Sequence, residues 1–307
     1  MPASDRLPND IRVLERGWLS SNNVLLLSDA GSALVDSGYV THAAQTVALV
    51  AGALGSNPLG LLVNTHLHSD HCGGNSALQL RHPALRTLIP PGQAEQVRLW
   101  NPAALSYTPT GQACARFSVD ATLQPGTTLL LGKRHWQVLA APGHDPHSVV
   151  LFEPELRLLI SADALWENGF GVVFPEIEGV GAFDDVAATL DLIETLRPRV
   201  VIPGHGPIFT ELDSALFAAR QRLAQFVADP RRHARHAAKV LLKFKLLEMQ
   251  RISLADFHQW IGQASYFTLL HRGYFSTLNF NAWISDLLQD LQRIGAARVE
   301  DQLLVNQ

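Results

Sequence analysis

The run Leu59-Gly60-Leu61-Leu62-Val63-Asn64-Thr65-His66-Leu67-His68-Ser69-Asp70-His71-Cys72-Gly73-Gly74-Asn75 organises this chain. Leu61, Leu62 and Val63 read as the end of a buried strand, and Gly73, Gly74 and Asn75 as a tight turn into a helix. Between them, His66-x-His68-x-Asp70-His71 sets three imidazoles and a carboxylate within six residues. A loop at a strand end need not hide its polar groups, so a fold can present a metal there. Any one of these histidines alone reads as a surface-loop residue. As a unit, their donor types and spacing suit a divalent ion.

Three further positions share that context, each after an apolar run and beside small or turn residues. His144 lies in Ala141-Pro142-Gly143-His144-Asp145-Pro146-His147-Ser148, Asp163 in Leu159-Ile160-Ser161-Ala162-Asp163-Ala164-Leu165-Trp166, and His205 in Val200-Val201-Ile202-Pro203-Gly204-His205-Gly206-Pro207. Alone, His205 reads as a turn histidine and Asp163 as a helix cap.

The intervening chain predicts two strand-rich halves with interspersed helices. Val24–Leu27 and Ala33–Asp36 form a hairpin. Ala43, Val47, Val50 and Leu54 share a helix face that closes at Gly55. Strands follow at 59–63 and 87–89, with helices at 75–81 and 91–100. A meander covers 127–131, 136–139, 149–152 and 156–160. Val186, Leu190, Ile193 and Leu196 mark a helix before a last strand at 200–202. Two sheets packed face to face with helices outside would bury these patterns. Residues 101–126 break the periodicity, as a lid or a surface excursion would. Beyond about residue 211 the pattern turns helical: 212–226, 236–249, a helix capped by Ser253, and 280–294. A short hairpin follows around Glu300-Asp301-Gln302. We therefore expect a catalytic unit over 1–230 and a helical, winged-helix-like unit over 231–307.

At 307 residues, 47% hydrophobic and 17% charged, the chain has the material for a sizeable core. A net charge of −4 does not announce a nucleic-acid binder. Two cysteines, Cys72 and Cys114, imply no disulfide framework. The first ten residues lack the apolar core of a secretory signal, and no apolar stretch approaches a membrane span. The expectation is a soluble cytoplasmic protein acting on a small molecule without a membrane, its apolar helical tail offering a surface for homodimerisation.

The set His66, His68, Asp70, His71, His144, Asp163 and His205, in that order, resembles the metallo-β-lactamase superfamily, nearest in motif to glyoxalase II and related hydrolases. The resemblance covers about residues 15 to 230. It implies an α/β fold, the four-layer αββα sandwich of that superfamily with a C-terminal helical extension. It also implies two divalent ions, zinc first and iron or manganese as alternatives. His66, His68 and His144 would hold one, and Asp70, His71 and His205 the other, with Asp163 bridging. Asp70 would orient a metal-bound hydroxide for attack on an activated carbonyl, an acyl thioester first among candidates.

The bridging aspartate argues against antibiotic hydrolysis, since true β-lactamases of the superfamily generally lack it. A lactonase remains an alternative, as does a mononuclear iron persulfide dioxygenase, which needs only two of the histidines and the aspartate. Glyoxalase-like proteins often carry glycine where His147 stands, so His147 is a candidate substrate contact. Trp166, Phe170 and Phe174 could wall the site. Arg231, Arg232, Arg235, Lys239, Lys243 and Lys245 form a basic run similar to that of the β-lactamase-like endoribonucleases, which keeps RNA hydrolysis as an alternative. A solvated face or a coenzyme A phosphate pocket fits the same run. The last alternative is a regulatory protein that interacts through its helical tail.

Overall fold

The computed structural model describes residues 7–307. One sheet runs, in spatial order, β1 (Ile11–Leu14), β2 (Asn23–Leu26), β3 (Ser32–Val35), β4 (Leu59–Val63), β5 (Arg86–Ile89) and β6 (Ala121–Thr122). Its first two pairings are antiparallel and the rest parallel. The second sheet holds β7 (Thr128–Leu131), β8 (Arg134–Ala140), β9 (Val149–Glu153), β10 (Leu158–Ala162) and β11 (Val200–Pro203). It is an antiparallel meander closed by the parallel pair β10–β11.

The period-two alternation of the strands explains the layers. Val24, Leu26, Ala33, Val35 and Val63 point inward, against Trp136, Val138, Val149, Leu151, Leu158 and Ile160 of the other sheet. The alternate residues Leu25, Leu34 and Leu62 point outward, under α1 (Ala43–Leu54) and α3 (Asn75–Arg81), where Val50, Leu54 and Leu78 cover them. On the other side Val150, Phe152, Leu159 and Val201 lie beneath α7 (Phe183–Leu196) and α8 (Leu212–Ala228). The result is the four-layer αββα sandwich expected. Strand β1 and the short β6 were not expected.

Four short helices lie along the connections: α2 (Ser69–Cys72), α4 (Ala94–Leu99), α5 (Tyr107–Thr110) and α6 (Phe174–Ile177). The 101–126 segment is no free excursion. Leu105, Tyr107 and Phe117 pack with Leu67, Cys72 and Ile89. The Gly111 carbonyl accepts from Trp260 Nε1, which ties the segment to the tail.

The tail comprises α9 (Pro230–Met249), β12 (Arg251–Ser253), α10 (Leu254–Gln263), α11 (Ser265–Tyr274), α12 (Phe280–Arg293), β13 (Ala297–Glu300) and β14 (Leu303–Asn306). Ser253 caps α10, its side chain accepting from the Asp256 amide. Helix α9 begins six residues before the expected 236, because Asp229 caps it and Pro230 sits at its first position. Helix α11 was not expected, and β12 converts the expected hairpin into a three-stranded sheet of order β12–β14–β13. No helix among the described residues is long and apolar enough to cross a membrane.

Candidate metal centre

The ends of four strands open at one edge of the sandwich. His66 to His71 follow β4, His144 follows β8, Asp163 follows β10 and His205 follows β11. The chain can turn so sharply only where side chains leave room. A Cβ on Gly204 would meet Asp163 Oδ1 at 2.2 Å, and one on Gly171 would meet His144 Nδ1 at 2.4 Å.

Seven donors converge there in two groups: His66, His68 and His144, then Asp70, His71, Asp163 and His205. Within each group the ligand atoms lie within 4.8 Å of one another. Asp163 spans both, with Oδ1 at 3.5 Å from His71 Nε2 and Oδ2 at 3.4 Å from His144 Nε2. Asp70 Oδ2 accepts from His205 Nε2 at 3.0 Å.

Second contacts aim the imidazoles. His71 Nδ1 meets Asp36 Oδ2 at 2.8 Å, and His144 Nδ1 donates to the Val172 carbonyl at 2.6 Å, so Nε2 of each turns to the centre. Asp36 was missed in the sequence, where it reads only as a strand end. It holds φ +59, and its carboxylate also accepts from the Thr65 amide and hydroxyl. Its signal was an acidic residue at the end of a strand adjacent to the histidine strand, and that adjacency exists only in the fold.

The donor set fits metal ions by two tests. His66 Nε2 and His71 Nε2 are buried without a hydrogen-bond partner, a costly arrangement unless the site is completed by a cation. The charge states agree. Burial, then the neighbouring His71, His68 and His144, hold His66 well below the ordinary histidine value, and burial with His144 brings His68 down to about 4. Burial alone would raise Asp163, but His71 and His205 hold it well below the usual carboxylate range. Neutral imidazoles and an ionised carboxylate are what a divalent ion requires. Burial opposes a charge on His71 too, yet Asp163, Asp36 and Asp70 together raise it well above normal, so this spot calls for positive charge.

Beside these groups lies a cavity of about 410 Å³. Trp166 and Phe174 line it: Trp166 Nε1 donates to Asp163 Oδ1 at 3.2 Å, and the Phe174 ring lies 4.6 Å from that of His68. Phe170 and His147 do not line it. Phe170 is buried in the core beneath α7 and α8, its ring against Phe226. His147 packs against Gly92, its amide tied to Asp145 Oδ1 at 2.7 Å. The structure adds cavity residues that the sequence did not single out: Trp18, stacked on His205 at 5.5 Å, Gln112 from the 101–126 segment, and Val240, Leu241 and Phe244 from α9.

Comparison with known proteins agrees with this geometry. Residues 16–205 match the family model described as the metallo-beta-lactamase superfamily. The chain is 30% identical over 189 residues to a hydroxyacylglutathione hydrolase of Synechococcus sp. (strain JA-3-3Ab), spanning 61% of this chain and 64% of that one. It is 26% identical over 154 residues to the human acyl-coenzyme A thioesterase MBLAC2, spanning 47% of this chain and 55% of that one. A metallo-beta-lactamase family protein from Thermus thermophilus shares the fold at 18% identity and a TM-score of 0.58, covering 98% of this chain and 99% of that one. With the site's two donor groups in place, the family match makes the chain a member of the metallo-β-lactamase superfamily, with a binuclear divalent-metal site.

Proposed function

We propose that the chain hydrolyses acyl thioesters. One observation carries this reading: the donor groups form one wall of the cavity, and Phe174, Val240, Leu241 and Phe244 form an apolar wall beside it, suited to an acyl chain held next to a reacting carbonyl. The activities that two relatives are named for, a glutathione thioester hydrolase and an acyl-coenzyme A thioesterase, support the same bond type.

In this reading His66, His68 and His144 hold one ion, and Asp70, His71 and His205 the other, with Asp163 shared. Zinc is the first choice for such imidazole and carboxylate donors. When bound, the pair of ions supplies a water acidic near neutral pH and a Lewis acid for the carbonyl. Asp70 Oδ2, kept ionised by His71 and His205 against its burial, is placed to orient the attacking water and take its proton. Trp166 Nε1–H fixes the orientation of Asp163. Trp18 and Trp166 shield His205 from solvent.

We assign catalysis to residues 1–230 and a supporting role to 231–307, which lends α9 to the cavity wall. With two cysteines and no disulfide framework implied, we place the protein in the cytoplasm. The test is a panel of acyl-coenzyme A, S-acylglutathione, lactone and RNA substrates, run with metal analysis. Thioester turnover is expected. Turnover of RNA or lactone alone overturns the reading.

A further inference from the structure

Helices α8 and α9 meet at Asp229 as a helical hairpin, and a second cavity of about 340 Å³ lies between them. Helix α9 turns Arg232, Arg235, His236 and Lys239 into it, at helical spacings of three and four, and α8 contributes Arg222. Arg222 and His236 also line the metal cavity, so the two spaces adjoin.

The charges in this second cavity are unequally partnered. Arg235 is engaged by Asp290 at 2.7 Å and Asp286 at 2.7 Å. Lys239 reaches Asp290 only at 3.5 Å. Among the described residues, neither Arg222 nor Arg232 has a carboxylate ion-pair partner. Arg222 is half-buried, and its Nη1 donates only to the Phe170 carbonyl, at 3.4 Å. A partly desolvated guanidinium with so weak a contact is costly by itself, and an anion would offset the cost. Burial, then Arg222 and Lys239, bring His236 down to about 4, so at neutral pH it adds polarity without charge.

We propose that this second cavity binds phosphate groups of the substrate's carrier thiol. The substrate is then an acyl thioester of a phosphorylated carrier, such as coenzyme A, with its acyl–sulfur bond at the donor groups and its phosphates on Arg222, Arg232 and Lys239. The inference rests on the thioesterase reading of the adjoining cavity. Guanidinium forks match phosphate oxygens in pairs, and several cations on one cavity favour a multiply charged anion over a single carboxylate. Glutathione has no phosphate to offer them.

Calorimetric titration of the metal-loaded protein with free coenzyme A, dephospho-coenzyme A and pantetheine tests this. Coenzyme A is expected to bind at least about tenfold tighter than pantetheine, with the preference shrinking as salt rises. Dephospho-coenzyme A separates a contact to the ribose phosphate from one to the pyrophosphate. Arg222→Ala and Arg232→Glu should each bring the coenzyme A to pantetheine affinity ratio towards one. Arg232 is exposed, so its variant keeps the test open if Arg222→Ala does not fold. Equal affinities in the wild type, or a ratio that neither variant changes, would overturn the proposal. Turnover separates the two claims. Cleavage of S-acylpantetheine and S-acylglutathione without preference for coenzyme A removes the phosphate site and leaves the thioesterase reading standing. Coenzyme A bound through the arginines with no thioester cleaved does the reverse.

Discussion

The sheet edge and the tail handle polar groups in opposite ways. At the edge, two imidazole nitrogens facing the donor groups are buried without partners, and the carboxylates crowd within reach of one another. Along α9, most of the basic run is spent on architecture. Arg235 ties to α12, Lys243 Nζ donates to the Ala296 and Gln307 carbonyls and to Asn306 Oδ1, Lys245 pairs with Glu248, and the Arg231 guanidinium lies over Phe275. Burying polar groups unpartnered costs free energy, so a fold keeps such a site only where a ligand completes it. Partnered charges ask for nothing more. The same contrast weakens the RNA alternative, since Arg235, Lys243 and Lys245, three of the six basic residues singled out for phosphate contact, already have close carboxylate or carbonyl partners.

That contrast can be broken most directly at the edge. His68→Ala should reduce hydrolysis to background and lower bound metal from two ions per chain to one, checked by turnover and elemental analysis; activity retained would undo the ligand assignment. A smaller effect is expected one contact further out. Asp36→Ala removes the acceptor at His71 Nδ1, and metal affinity should fall by about 10- to 100-fold, read by competition with a chelator.

Elsewhere in the tail the expected effects are on stability. His233 is buried, accepts from the Val173 amide at Nε2, and is brought down to about 4 by burial and then by His236. The unfolded chain binds a proton there below about pH 6.5 and the folded chain does not, so stability falls as pH drops from about 6.5 towards 4. Urea midpoints should therefore fall with acidification more steeply for the wild type than for His233→Asn. Parallel slopes would remove His233 from the account. Last, Lys243→Ala should cost about 1 kcal/mol in urea unfolding, because its bonds are partly solvent-exposed, with kcat unchanged.

Legibility followed the same division. The sandwich was readable because its strands alternate cleanly and its ligands sit at strand ends, where local sequence carries both the period and the turn. The tail was less so. Ser265–Tyr274 forms a helix whose buried residues Tyr266, Phe267 and Leu270 are close together rather than spread over several turns, and β12 is three residues long. Such elements exist because of what they pack on. Phe170 shows the limit of reading function from aromatic residues: neighbours in sequence, Trp166, Phe170 and Phe174, divide between cavity and core according to a backbone path that composition does not encode.

By itself, the sequence marked most strands of the two halves and the seven donor residues, because periodicity and donor type are local properties. Only the tertiary structure decided that Asp163 reaches both donor groups, that Asp36 aims His71, that α9 walls the cavity, and that Arg222 faces Arg232 and Lys239 across two helices. Each of these is a contact between side chains distant along the chain or carried on separate elements, set by how sheets and helices pack rather than by any spacing along the chain.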